Sequence, residues 1–197
     1  MTPEEVGSRL TGLLTSAGLE AAEPGVSGGG AHARAVADVP PAQWVAAART
    51  ARDGLGLDFF DWLSAVDELD EGFTVVAHLW STRERFGLLL RTRLPREEPS
   101  LASIVEVYPG ASWHERETCE MFGIGFPGDL PRLLLTPEFE GHPLRKDFVL
   151  ASRVAKPWPG AKEPGEGHGD APRRQAVRPP GVPAPGEWGP AAGGGDA

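Results

Sequence analysis

The chain has 197 residues, 40% of them hydrophobic and 24% charged, which suits one domain with a tail. Its net charge of -9, from 19 Lys and Arg against 28 Asp and Glu, argues against binding nucleic acid or an anionic membrane surface, since both need clustered cations. The single cysteine, Cys119, excludes an internal disulfide and an iron–sulfur site built from about four thiolates, and it fits a reducing, cytosolic setting.

Residues 1–10 carry Glu4 and Glu5 and no apolar run, so they do not read as a signal peptide. Residues 2–17 predict a helix. Thr2 caps it, Pro3 suits the first turn, Glu5 completes a capping box, and Val6, Leu10, Leu13 and Leu14 share one face. Residues 24–30 read as a glycine-rich linker. Gly28, Gly29 and Gly30 do not make a nucleotide loop, because no G-x-G-x-x-G follows a strand there. A strand is expected over 33–39, then a helix over 40–52 stopped by Gly54.

Three strand-like runs follow, at 58–66, 73–80 and 85–93. In the second, Phe73, Val75, Ala77 and Leu79 fall on one side; in the third, Phe86, Leu88 and Leu90 point inward. Short connections suit antiparallel hairpins. The longest apolar stretches, such as 73–80, are far below the roughly 20 residues that span a bilayer, so membrane association would run through another protein. Residues 104–108 are expected to add a strand. Residues 112–122 predict a helix, with Ser112 and Glu115 as a capping box and Gly123 at its C-terminal end.

These elements predict an α+β fold of two layers: a mixed or mainly antiparallel sheet with helices on one face, followed by an extended Pro/Gly-rich C-terminal tail. The divisions are an N-terminal helix over 1–24, the α+β domain over 31–150 and an extended or disordered tail over 151–197. Residues 157–197 hold 9 prolines and 10 glycines, too little apolar surface to offset the entropy of ordering.

Two segments carry a resemblance. The first is W-H-E-R-E-T-C-E-M-F-G-I at 113–124, and the second is F-E-G-H-P-L-R-K-D-F at 139–148, with L-L-T-P at 134–137 between them. Together they resemble the C subunit of the bacterial proton-pumping NADH–quinone oxidoreductase, respiratory complex I, over roughly residues 33–159. One stretch departs from the pattern. The family reads F-x-G-H-P-D-L, whereas here Phe126, Pro127 and Gly128 run straight into Asp129 and Leu130, and Pro131 stands where Arg is common.

The resemblance implies a structural subunit of the peripheral arm, on the cytoplasmic side of the cell membrane. It implies no cofactor in this chain, with FMN and iron–sulfur clusters held by partner subunits. Its partners would be other complex I subunits, chiefly the D subunit, with the B and I subunits. The signature is shared with the equivalent subunit of a related membrane-bound hydrogenase or formate-oxidising complex. A free-standing interaction domain is a third reading.

Trp113, Arg116, Glu117 and Glu120 fall at i, i+3, i+4 and i+7 on one helix face, where Arg116 can pair with Glu120. That face reads either as a docking surface anchored by Arg and Trp or as a solvated, salt-bridged stripe. No nucleophile accompanies the glutamates, so acid–base catalysis is not expected. His114 and Cys119 lie five apart, a spacing that does not suit zinc. Cys119 reads as a small buried residue and His78 as a satisfied structural histidine. Residues 141–143 turn the chain. His142, Arg145, Lys146 and Asp147 are then expected to leave the domain and dock on a partner, together with Trp158 between two prolines. On this reading residues 144–159 are ordered by a partner and not by their own domain.

Overall fold

A computed structural model describes residues 1–20, 23–128 and 130–149. Its order is α1 (Pro3–Ser16), β1 (Gly25–Ser27), β2 (Arg34–Asp38), α2 (Trp44–Leu55), β3 (Phe59–Asp67), β4 (Phe73–Trp80), β5 (Gly87–Leu94) and α3 (Ala111–Phe122). The sheet runs β1-β2-β5-β4-β3; only the β2–β5 pair is parallel. The expected mixed sheet in an α+β fold is what forms.

Alternation builds the core. Ala35 and Ala37 pair with Leu88 and Leu90, which pair in turn with Leu79 and Ala77, and Ala77 pairs with Leu63. All of these side chains face one side and are buried. On α1, Val6, Leu10 and Leu14 join that cluster; Trp44, Ala47, Ala48, Ala51 and Leu55 do so from α2, and Ala111 and Phe122 from α3. The helices therefore bury their stripes on the same face of the sheet. The opposite face carries Arg34, Val36, Leu89, Arg91, Val76, His78, Trp80, Trp62 and Val66.

Several local expectations hold. The Thr2 amide donates to Glu5 Oε2 at 2.8 Å, and the Glu5 amide to Thr2 Oγ1 at 3.3 Å, closing the capping box. Gly123 ends α3 in the left-handed conformation, with φ of 73°.

Others are corrected. The second helix starts at Trp44, because Pro40 and Pro41 lack amide donors and the segment before it makes a single 3₁₀ turn. It runs through Gly54 to a left-handed cap at Gly56. Gly54 lets α1 approach: a Cβ there would sit 2.9 Å from Leu13 Cδ1. Residues 104–108 make no strand. They form a turn in which the Val107 and Tyr108 amides both donate to the Ile104 carbonyl. Ser112 and Glu115 make no capping box, since Gly110 is the N-cap and Glu115 turns inward. The stretch read as a linker contains β1, a short edge strand.

Gly72 closes the β3–β4 hairpin at φ 95° and ψ -137°, a region open essentially to glycine. A Cβ there would collide with the Leu94 carbonyl oxygen. Gly72→Ala is expected to cost at least about 1–3 kcal/mol in urea denaturation, as a lower midpoint with unchanged slope. Gly29→Ala, with open space at its Cβ, should stay within about 0.5 kcal/mol.

Candidate functional site: the helix α3 and the loop it braces

Helix α3 has three faces. Ala111, Glu115, Thr118 and Phe122 turn into the domain and are buried. Glu115 is 1% exposed and accepts the Ile104 amide at 2.8 Å; burial nevertheless pushes its pKa up. Arg116 and Glu120 turn toward the loop over 131–148, while Trp113 and Glu117 turn outward.

The expected Arg116–Glu120 pair does not form. Arg116 Nε donates to the Pro131 carbonyl at 2.9 Å and Nη2 to the Arg132 carbonyl at 3.1 Å. Glu120 accepts three successive amides: Leu133 at 2.8 Å and Leu135 at 3.2 Å on Oε1, and Leu134 at 2.9 Å on Oε2. An irregular loop has unpaired backbone groups that need partners, and they outcompete a helix-surface ion pair. Burial alone would raise the Glu120 pKa, but the three amides outweigh it and hold the carboxyl below its usual range. Arg132 extends the network by donating to the Thr136 and Phe139 carbonyls.

The second matched segment closes on the C-terminal end of α3. His142 Nδ1 donates to the Glu120 carbonyl at 2.7 Å, the Leu144 amide to Met121 at 3.1 Å, and Arg145 Nε to Phe122 at 2.6 Å. These are the helix's last carbonyls, which have no partner within it and favour cations nearby. Two features favour glycine at position 123. Its φ is positive, and any Cβ would run into His142 and Arg145.

A third buried carboxyl group, after Glu115 and Glu120, carries no sequence signal. Asp67, 3% exposed, accepts the Leu69 and Lys146 amides and Arg96 Nη1, all at 2.8 Å. Burial would raise its pKa, but these donors together lower it. Arg96 also reaches Asp147 at 2.6 Å, and both Arg96 and Arg145 lie over the Phe73 ring. Residues 144–148 are thus held by their own domain, contrary to expectation, because these ends of β3, β5 and α3 offer them partners. Residues 150–159, Trp158 included, lie outside the described residues.

Outward, the site is apolar. Trp113 is 63% exposed, Leu134 61% and Val149 83%. Trp113, His114, Glu117, Leu133 and Leu134 line a shallow depression of about 220 Å³. His114 Nδ1 lies within 3.3 Å of both the Leu63 amide and carbonyl and, according to its tautomer, satisfies one of them on the outer edge of β3. Cys119 is half-buried, with its pKa raised by burial and by Glu120, so the thiol is not activated. Among the described residues no three His, Cys, Asp or Glu side chains are grouped to hold a metal.

Glu120→Gln is expected to cost about 1–3 kcal/mol at pH 7, by setting an amide against three donors. Since the folded carboxyl has the lower pKa, its stabilisation is complete above about 4.3, the unfolded value, and vanishes as pH falls through the folded value. Denaturation at pH 7 and pH 3 should show the gap closing. An equal cost at both would assign the loss to shape and not to charge.

Residues 37–154 match the family described as respiratory-chain NADH dehydrogenase, 30 Kd subunit. The C subunit of NADH-quinone oxidoreductase from Roseiflexus castenholzii is 42% identical over 120 residues, covering 58% of this chain and 69% of that protein. Its counterpart from Bordetella petrii is 34% identical over 140 residues, covering 59% and 67%. The C/D subunit of the Methylococcus capsulatus enzyme is 44% identical over 88 residues, covering 44% of this chain and 15% of that protein. Two solved structures share the fold. A trypsin-resistant fragment of Nqo5 aligns with TM-score 0.50 at 21% identity, over 64% of this chain and 98% of that one. A chain of an archaeal membrane-bound sulfane sulfur reductase aligns with TM-score 0.56 at 24% identity, over 88% and 100%. The chain belongs to the 30-kDa subunit family of respiratory-chain NADH dehydrogenase, the family that includes the C subunit of NADH-quinone oxidoreductase.

Proposed function

We propose that this chain is a structural subunit of the peripheral arm of a proton-translocating NADH–quinone oxidoreductase and carries neither cofactor nor catalytic residue. FMN and iron–sulfur centres in partner subunits would carry the electrons. The observation that supports this reading is how the two matched segments use their charges. Arg116, Glu120, His142, Arg145 and Asp147 brace a loop, while Trp113 on the helix and Leu134 in the loop are left exposed. Such a surface suits docking, with exposed aromatic and aliphatic anchors on a rigid frame. In this reading Glu117 and Lys146 serve as polar rim groups, and the braced charges act by holding the anchors in place.

The D subunit is the first partner to expect, since the relatives named C/D join both designations in one protein. The B and I subunits would be further neighbours. No helix among the described residues is long and apolar enough to cross a membrane. Attachment to the cytoplasmic side of the cell membrane would therefore run through other subunits. A related membrane-bound complex is the second reading, favoured by the fold shared with the sulfane sulfur reductase chain. Affinity purification of the tagged chain from host membranes distinguishes them: NADH-dehydrogenase subunits in the eluate support the first, hydrogenase-type or sulfur-reducing subunits the second.

The docking role has its own test. The double variant Trp113→Ala/Leu134→Ala removes surface anchors, so the isolated chain should lose no more than about 0.5 kcal/mol of stability per site. Its amount in purified membranes should nevertheless fall several-fold. Wild-type retention of the variant would overturn the assignment of these anchors.

A further inference from the structure

The face of the sheet opposite the helices carries an aromatic cluster that is separate from α3 and its loop. It arises from one irregularity. Phe59 pairs with Trp80 and Trp62 with His78, and the register of β3 shifts between them, leaving Asp61 as the extra residue. Phe59 and Trp62 are three apart and would face opposite sides of a regular strand. The bulge puts both on the open face. They remain 50% and 37% exposed.

Their surroundings are built. Trp62 stacks on His78 with ring centroids 6.0 Å apart, and His78 lies 6.2 Å from Trp80. The Arg34 guanidinium covers Trp80 at 5.2 Å. All of this packs over Gly87, where a Cβ would sit 2.7 Å from His78 Nε2 and 2.9 Å from both Arg34 Cδ and Trp80 Cε3. A cleft of about 310 Å³ is lined by Arg34, Phe59, Asp61, His78 and Trp80. Asp61 Oδ2 is 2.8 Å from His78 Nδ1, so that oxygen is used. The Asp61 side chain is still 47% exposed, and its other oxygen takes no hydrogen bond among the described residues.

We propose that the bulge at Asp61 forms a second docking site, which receives an arginine- or lysine-bearing segment of a partner polypeptide, its cation on the Asp61 carboxylate and against the Phe59 and Trp62 rings. Charge complementarity selects that occupant: Arg34, the cation lining the cleft, is engaged by the Trp80 ring and the Ala33 carbonyl, so the half-exposed Asp61 carboxylate, flanked in the chain by the bulge that exposes Phe59 and Trp62, favours an incoming cation over an anion on a chain of net charge -9. Exposed aromatics beside a carboxylate also have the composition of an interface hot spot. The partner engages side chains and does not add a strand at Leu63, because His114 of α3 lies on that edge of β3 with its Nδ1 bonded to one of the Leu63 backbone groups.

The test places a photo-reactive benzoylphenylalanine at Phe59 in the full chain, expressed in its host, and identifies the cross-linked peptide by mass spectrometry. The expected peptide belongs to a different polypeptide and has Arg or Lys within a few residues of the cross-link. Asp61→Asn keeps an oxygen for His78 and removes only the charge, so cross-link yield should fall at least tenfold. Glu68→Gln, an exposed acid outside the cleft, should leave the yield unchanged. Asp61→Arg should abolish it, and replacing the partner's cation by Asp in that background should restore it. No cross-link, a peptide from a second copy of this chain, a peptide without a cation, or a yield indifferent to Asp61→Asn would each overturn the proposal. The cross-link at Phe59 needs no change at Asp61, so it decides the matter even where an Asp61 variant folds poorly.

Discussion

Leu133, Leu134 and Leu135 aim three successive amides at the one carboxylate of Glu120, and the course of the loop that starts at residue 131 depends on this. A loop of this kind has no ladder or helix to satisfy its backbone, and each buried group left without a partner costs about 1–3 kcal/mol. Arg116 supplies donors to two carbonyls just before those amides, so one helix face meets both polarities of the chain. Loop and helix are therefore fixed as a unit. Rotating α3 about its axis would break both sets of bonds and would also withdraw Glu115 from the Ile104 amide on its inner face.

Asp67 repeats the arrangement at the other end of the loop. It sits where β3 ends, and its two oxygens collect the hairpin amide of Leu69, the amide of Lys146 and the guanidinium of Arg96. Between them, Glu120 and Asp67 hold the two ends of the segment containing Gly141, His142 and Pro143. Both carboxyls pass into burial with a lowered pKa, because in each case the donors outweigh desolvation.

Much of the frame was legible in the sequence. The alternation in β4 and β5, the Thr2–Glu5 capping box and the Gly123 stop are local signals, and local signals are what periodicity and capping rules read. The site was legible as a set of residues but not as an arrangement. A helical wheel pairs Arg116 with Glu120, since it knows only neighbours one turn away. Their partners lie 13 to 16 residues on, in a loop without period. Asp67 was invisible for the same reason. An Asp before a turn reads as turn chemistry, and its bond to Lys146 spans 79 residues. The helix over 112–122 was found, yet its capping box was wrong because Glu115 serves the Ile104 amide from inside the core. The bulge at Asp61 left no signal either, since it appears only as a slip in pairing with β4.

Satisfying charges internally bears on how such a chain is buried by others. A charged group taken into an interface must find a partner there or incur a desolvation penalty of several kcal/mol. Arg116, Glu120, Arg145 and Asp147 arrive already bonded to this chain's own backbone and side chains, so they do not require a complementary charge on an incoming surface. Trp113, Leu134 and Val149 protrude from the same frame and gain by leaving water. The two roles also need each other. An exposed leucine on an unbraced loop would lose backbone freedom on docking, at about 1–2 kcal/mol for each residue fixed. Leu134 is flanked by amides tied to Glu120, so much of that ordering is already complete within the folded chain.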